Sequence, residues 1–190
     1  GPRVNGRVAE IPAKRAGTAL SVYDMDKRGK LWYNTPYYGR LCPEEESGMG
    51  KLIVFEGTDG SGKATQSALC QELEKRGIAF RKLEFPRYQE ESSALIRLYL
   101  GGAFGNDPDD VNAYAASTFY SVDRYASYKQ DWGGFYEAGG LLIADRYTTS
   151  NAVHQTGKLP PEKRDAFLDW LFDFEYHLLG LPEPTRVLYL

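Results

Sequence analysis

The chain predicts an α/β fold in three layers, a parallel sheet between two sets of helices. Three observations carry that expectation. Residues 52–56 form an apolar run that empties into a glycine-rich turn ending in Lys63. From residue 51 onward, short apolar runs alternate with longer helical patterns, as crossover connections between parallel strands require. Leu141–Asp145 is apolar until its last residue, the pattern of a strand covered on both faces that closes in a carboxylate.

Taken in order, strands are expected over 52–56, 80–85, 141–145 and 186–190. Helices are expected over 63–76, stopped by Gly77; 92–100, stopped by Gly101-Gly102; 111–130; 150–155; and 162–179, stopped by Gly180. Residues 1–48 carry scattered aromatics (Tyr23, Trp32, Tyr33, Tyr37, Tyr38) without a sustained period, and 44–48 look like a solvated linker. The first 48 residues are therefore expected to be an unassigned N-terminal extension, with the folded domain over 49–190. The last strand runs to the final residue, so the domain is expected to lack a last strand and following segments at its C-terminus.

Composition narrows the class of function. No apolar run approaches the roughly 20 residues of a membrane-spanning helix, and no apolar leader follows the first basic residues. Two cysteines, Cys42 and Cys70, suit a reducing cytoplasm and make neither a disulfide framework nor a metal site alone. Residues 1–48 hold 8 Lys+Arg against 6 Asp+Glu, whereas 49–190 hold 15 against 20, a net charge of −5. An acidic body argues against a broad nucleic-acid surface, so anionic ligands must be caught by a few placed cations.

The strongest chemical motif is Gly57-Thr58-Asp59-Gly60-Ser61-Gly62-Lys63-Ala64-Thr65. Glycines at 57, 60 and 62 allow backbone N–H groups to curl around an anion, the following helix aims its positive end at it, and the Lys63 ammonium can reach outer phosphates. The Gly-x4-Gly-Lys spacing is that of the P-loop, although Ala64 stands where a Ser or Thr hydroxyl usually meets Mg²⁺ and the hydroxyl arrives one residue later, at Thr65.

Asp145, closing its strand beside the first one, is the expected Mg²⁺-holding carboxylate, with Arg146 next to it to clamp a phosphate. In 148–150 the hydroxyls of Thr148, Thr149 and Ser150 are expected to cap a helix, on which Asn151, His154 and Gln155 share a face. Tyr120 and Arg124, four apart on the long helix, fit either core packing or a pyrimidine pocket built from a ring and a guanidinium fork. Phe85-Pro86-Arg87-Tyr88 leaves the second strand at the same edge, where Arg87 and Tyr88 can present a cation and a hydroxyl.

These stretches, together with Asp145-Arg146-Tyr147-x-x-Ser150-Asn151 and Glu175 through Gly180-Leu181-Pro182-x-Pro184, resemble the thymidylate kinase family. The resemblance implies a P-loop NTPase three-layer α/β/α fold, truncated before the lid and last strand. It implies a kinase that moves the γ-phosphoryl of ATP to dTMP with Mg²⁺, usually as a homodimer. It places the ATP phosphates on residues 57–65 and Asp59 near the dTMP sugar. Tyr120 stands where an aromatic stacks on thymine, Arg124 where an arginine meets its O4, and Arg146 and Tyr88 where the family holds the dTMP phosphate. Asn151 and His154 line the nucleotide, His154 where Tyr or Phe is usual. Residues 58–61 contain no arginine, so the mobile cations are expected from a lid beyond Leu190. Two other readings share these motifs: a deoxynucleoside kinase, which needs a carboxylate base for a hydroxyl acceptor, and a nucleotide-binding module without turnover.

Overall fold

The computed structural model describes residues 21–25, 31–34, 48–57 and 63–190, with side chains described for 48–57, 66–107 and 109–190. Six strands form one sheet: β1 (Ser21–Met25), β2 (Leu31–Asn34), β3 (Lys51–Glu56), β4 (Phe80–Glu84), β5 (Leu141–Asp145) and β6 (Arg186–Tyr189), in the order β2-β1-β6-β3-β5-β4. The last four are parallel. In the central pair Leu52 faces Leu142 and Phe55 faces Asp145, which brings both strand ends to one edge.

β1 and β2 make an antiparallel hairpin that pairs with β6 through Tyr23 and Val187. The sequence was expected to hold no strand there. Runs of five and four residues are too short to show a period. What they carry instead is β-forming residues such as Val22, Tyr23, Trp32 and Tyr33, whose preference is realised once an edge is available to pair with.

Alternate residues of the parallel strands feed two cores, which is why these runs read as continuously apolar. Leu52, Val54, Leu142 and Ala144 pack with Trp132, Tyr147, Tyr176 and Val187 on one face. Phe55 and Ile143 pack on the other with Cys70, Leu69 and Leu73 of α1 (Lys63–Lys75). Gly50 directly precedes β3, where a Cβ would lie 2.4 Å from the Gly140 carbonyl and 2.6 Å from that of Tyr136.

The remaining helices are α2 (Ala94–Leu100), α3 (Ala113–Ser127), α4 (Gly133–Glu137), α5 (Thr148–Thr156) and α6 (Pro161–Phe172). The helix expected to end at 130 continues through a π turn, Tyr128–Trp132, into α4. Gly133-Gly134 does not stop it, because Gly133 takes helical angles and lets the Tyr128 carbonyl come within 2.5 Å of where a Cβ would be. The π turn turns Trp132 fully into the core, with its indole N–H on Ser127 Oγ at 2.9 Å. A second π turn, Asp173–Leu178, prolongs α6 until Gly180, at φ 68°, ends it.

Candidate active site

The carboxyl ends of β3, β4 and β5 open into a cleft of about 600 Å³, walled on the far side by α2, α3 and α5. Phe85, Tyr88, Tyr120, Arg124, Asp145, Arg146, Asn151 and His154, all expected site residues, line it together with Gly57. Arg87 does not. Its side chain lines a neighbouring depression and meets Glu90 at 3.3 Å. Thr58, Asp59, Gly60, Ser61 and Gly62, and the side chains of Lys63, Ala64 and Thr65, lie outside the described residues, though β3 delivers the turn to the cleft at Gly57 and α1 begins at Lys63.

Glu56, the last residue of β3, ties that strand to the start of the helix at 148–156. Its buried carboxylate accepts the Tyr147 and Ser150 amides at 3.2 and 2.9 Å, the Thr149 hydroxyl at 2.5 Å, and the Ser150 hydroxyl. The hydroxyls of 148–150 were expected to cap the helix. Instead they donate to carboxylates, and Glu56 receives the amides at the helix start. An anion at the positive end of α5 is stabilising, and it starts the helix at Thr148, two residues earlier than expected.

Glu175 does the same for α3. It is fully buried and accepts Arg124 Nε and Ser121 Oγ at 2.8 Å each, Thr148 Oγ1 at 2.7 Å, and Arg124 Nη2. Burial alone would lower the proton affinity of the Arg124 guanidinium, but the Glu175 charge and its hydrogen bonds outweigh it and raise the value. Arg124 is thus a fixed, charged fork at the cleft wall. One turn earlier, burial, then the neighbouring Tyr99 and Tyr88, push the Tyr120 phenol up to about 12, against partial offset by Arg124 and Arg146. Tyr120 therefore offers a neutral ring and hydroxyl across the physiological range.

On β5, Asp145 stands at the cleft floor and its carbonyl accepts the Phe85 amide at 3.1 Å. Arg146 follows at φ 65°, a left-handed conformation that costs a non-glycine residue roughly 1–3 kcal/mol and recurs at ligand sites. Its amide is held by the Phe55 carbonyl at 3.0 Å, and Nη1 lies 3.4 Å from His154 Nε2. A guanidinium cannot accept a hydrogen bond, so in this contact the imidazole nitrogen is the acceptor. Asn151 is buried, with loose contacts to Ser117 at 3.4 and 3.5 Å.

Three further groups belong to the cleft or its frame; Lys158 and Asp123 went unassigned in the sequence, and Gln155 was placed only on the helix face of Asn151 and His154. Lys158 donates to Tyr99 OH at 2.6 Å and to the Val111 carbonyl at 3.1 Å, closing the wall between α2 and α5. Gln155 is buried with no partner for Oε1 among the described residues. Asp123 is buried against the β4 exit. One signal in the sequence bears on this frame: Ser117, Ser121 and Arg124 recur at helical spacing on α3, and all three are buried together with Asp123 and Ser127.

Among the described residues, no cluster of three or more His, Cys, Asp or Glu could cage a metal ion. Asp145 fits a Mg²⁺ held mainly by phosphate oxygens and water, the usual arrangement for that ion at nucleotide sites.

Comparison with known proteins agrees with this geometry. The family described as Thymidylate kinase matches residues 55–190. A thymidylate kinase of Mycobacterium tuberculosis is 33% identical over 135 residues, covering 70% of this chain and 62% of that protein. The human thymidylate kinase is 32% identical over 142 residues, covering 74% and 60%. The chain thus spans less than two thirds of the relatives it matches. A solved thymidylate kinase structure from Candida albicans, 24% identical, superposes with a TM-score of 0.53 over 76% of this chain and 64% of that one, a likeness of fold. With the family matching most of the described sheet and the whole of the cleft beyond Phe55, the chain belongs to the thymidylate kinase family.

Proposed function

We propose that the protein transfers the γ-phosphoryl group of ATP to dTMP, giving dTDP, with Mg²⁺ bound at Asp145. The observation that carries the reading is the convergence of Tyr120, Arg124, Asn151 and Arg146 on one cleft at the strand ends, beside the turn that begins at Gly57. A neutral ring and a fixed guanidinium suit a pyrimidine with a carbonyl. Arg146 and Tyr88 suit the acceptor phosphate, and the P-loop with Lys63 suits the donor phosphates. Mg²⁺ would supply neutralisation of charge between donor and acceptor phosphates.

The residues present also fit a reaction without a general base. A nucleoside monophosphate has a second pKa of about 6, so its attacking oxygen is already anionic near neutral pH. Glu56, the carboxylate directly before the P-loop, already accepts four hydrogen bonds, and the reading gives it no role as a base. The work left to the protein is orientation and charge complementarity.

The deoxynucleoside kinase reading keeps one supporting observation: Glu84, exposed at the end of β4, lines the same cleft. ADP release with dTMP or thymidine as acceptor, in this chain and in one extended past residue 190, separates the readings. Turnover of dTMP but not thymidine supports the monophosphate kinase. Turnover of thymidine reverses it, and nucleotide binding without ADP release in both chains favours a binding module. Leu95 and Leu98 on α2 and Val122 and Tyr125 on α3, two helices in contact, are exposed large apolar side chains, which supports a homodimer. No helix among the described residues is long and apolar enough to cross a membrane; the net charge of −5 over 49–190 suits a small anionic ligand held in a cleft better than a nucleic-acid surface, and the reading places the protein in the cytoplasm.

A further inference from the structure

Asp123 lies between the two ends of the cleft without lining it. It is 1% exposed, on α3, one residue before Arg124 and three after Tyr120. Its Oδ2 accepts the backbone amide of Arg87 at 2.9 Å, and its Oδ1 accepts the Ser92 hydroxyl at 2.5 Å. Both donors belong to the loop that leaves β4 and carries Tyr88 into the cleft. From the other side, Arg97 Nη1 on α2 donates to the Tyr88 and Glu90 carbonyls at 2.8 Å and to Ser93 Oγ at 2.6 Å. The loop is thereby bolted to α3 by a carboxylate and to α2 by a guanidinium.

A buried carboxylate is costly to desolvate, and charge-assisted bonds to a backbone N–H and a hydroxyl are what make it tolerable. An apolar residue would pack the same space without that cost. The arrangement therefore has a use beyond filling volume: it fixes the exit loop relative to the helix that bears the base pocket, and so fixes the distance between base-holding and phosphate-holding groups.

We infer that Asp123 is a positioning residue that holds Tyr88 in register with Tyr120 and Arg124, so that the acceptor nucleotide is measured from base to phosphate. It touches no substrate. This rests on the dTMP reading above, and its consequence is selective: loosening the loop should hurt ligands that carry both base and phosphate, and spare those that carry the base alone.

The test uses this chain and Asp123→Asn, an isosteric change that turns one acceptor oxygen into an NH₂ facing a donor. Calorimetric binding of dTMP, thymidine and ATP should show dTMP weakened roughly 10- to 100-fold, with thymidine and ATP changed less than about twofold. Ser92→Ala, which removes one of the two donors, should give an intermediate loss for dTMP and guards against misfolding of the first variant. In a Tyr88→Phe background, where the phosphate hydroxyl is already gone, Asp123→Asn should cost dTMP little more, because coupled residues are non-additive. Equal weakening of thymidine and dTMP, or full additivity with Tyr88→Phe, overturns the inference. Backbone amide exchange at Arg87 reads the same contact without any ligand. If the unaltered protein binds no dTMP, the kinase reading fails, and unchanged exchange at Arg87 in Asp123→Asn then still refutes the role given to Asp123.

Discussion

Replacing Glu175 by Gln should be among the most damaging isosteric changes in this protein. Each carboxylate oxygen accepts two bonds: Oε1 from Ser121 and Arg124 Nη2, Oε2 from Thr148 and Arg124 Nε. Whichever way a glutamine is turned, its NH₂ meets two donors, and the Arg124 charge is left uncompensated at 2% exposure. Removing one partner of such a pair costs about 3–5 kcal/mol. That is a large share of the roughly 5–15 kcal/mol that holds a domain folded, and it corresponds to about 6–20 °C in thermal midpoint for a chain of this size. The double replacement Arg124→Met with Glu175→Leu removes both charges. It should recover most of the loss, since apolar substitutes of similar volume are often neutral, and Ser121 keeps its bond to the Ser117 carbonyl. It should not recover dTMP binding. Thermal denaturation of Arg124→Met, Glu175→Leu and the double variant against the unaltered protein, read as a cycle, measures the coupling. A loss below about 1 kcal/mol for Glu175→Gln, the range of exposed pairs, would show that this pair is neither buried nor charged in solution.

Other outcomes follow from the same contacts. Tyr120→Ala should weaken dTMP by the roughly 1–3 kcal/mol of a base stack and leave ATP nearly unchanged in titration calorimetry; equal loss of both would return Tyr120 to the core. Because burial raises the Tyr120 phenol from 10.0 to about 12, the folded state keeps a proton that the unfolded chain has lost in between. Stability should therefore fall as pH rises from about 10 to 12, and Tyr120→Phe should flatten that part of the denaturation profile. Glu56→Gln should lower the thermal midpoint, by loss of charge-assisted bonds worth about 1.5–3 kcal/mol each at most, and weaken dTMP through α5; an unmoved midpoint would mean the cap is solvated. Lys63→Ala in a chain extended past residue 190 should abolish phosphoryl transfer in an ADP-release assay with an unaltered circular dichroism spectrum, and retained turnover would remove the P-loop assignment.

Much of this was legible from periodicity and punctuation. β5 falls on the expected residues, β3 and β6 within one residue, and Gly180 stops its helix where it should. Hydrophobic patterning records which face of an element is covered, and that is a local property. It does not record which polar groups meet across the core. Arg124 and Glu175 are 51 residues apart, and Arg87 and Asp123 are 36 apart. Nothing in either neighbourhood announces its partner. Arg87 shows the limit most clearly: its place after a strand suggested a phosphate ligand, but the loop turns its side chain toward Glu90. The hairpin β1–β2 was illegible for another reason, since short strands acquire their conformation from the edge they join.

The position of Glu56 also bears on how the molecule can move. It is the residue directly before the glycine-rich turn that begins at Gly57, and its carboxylate grips the start of the helix that carries Asn151 and His154. The end of β3 and the start of α5 are therefore welded at one joint, and neither can move against the other without unmaking four hydrogen bonds. Under the proposed function, any closing stroke over the nucleotides has its pivot outside that joint, and the helix that carries Asn151 and His154 is the fixed jaw of the vice.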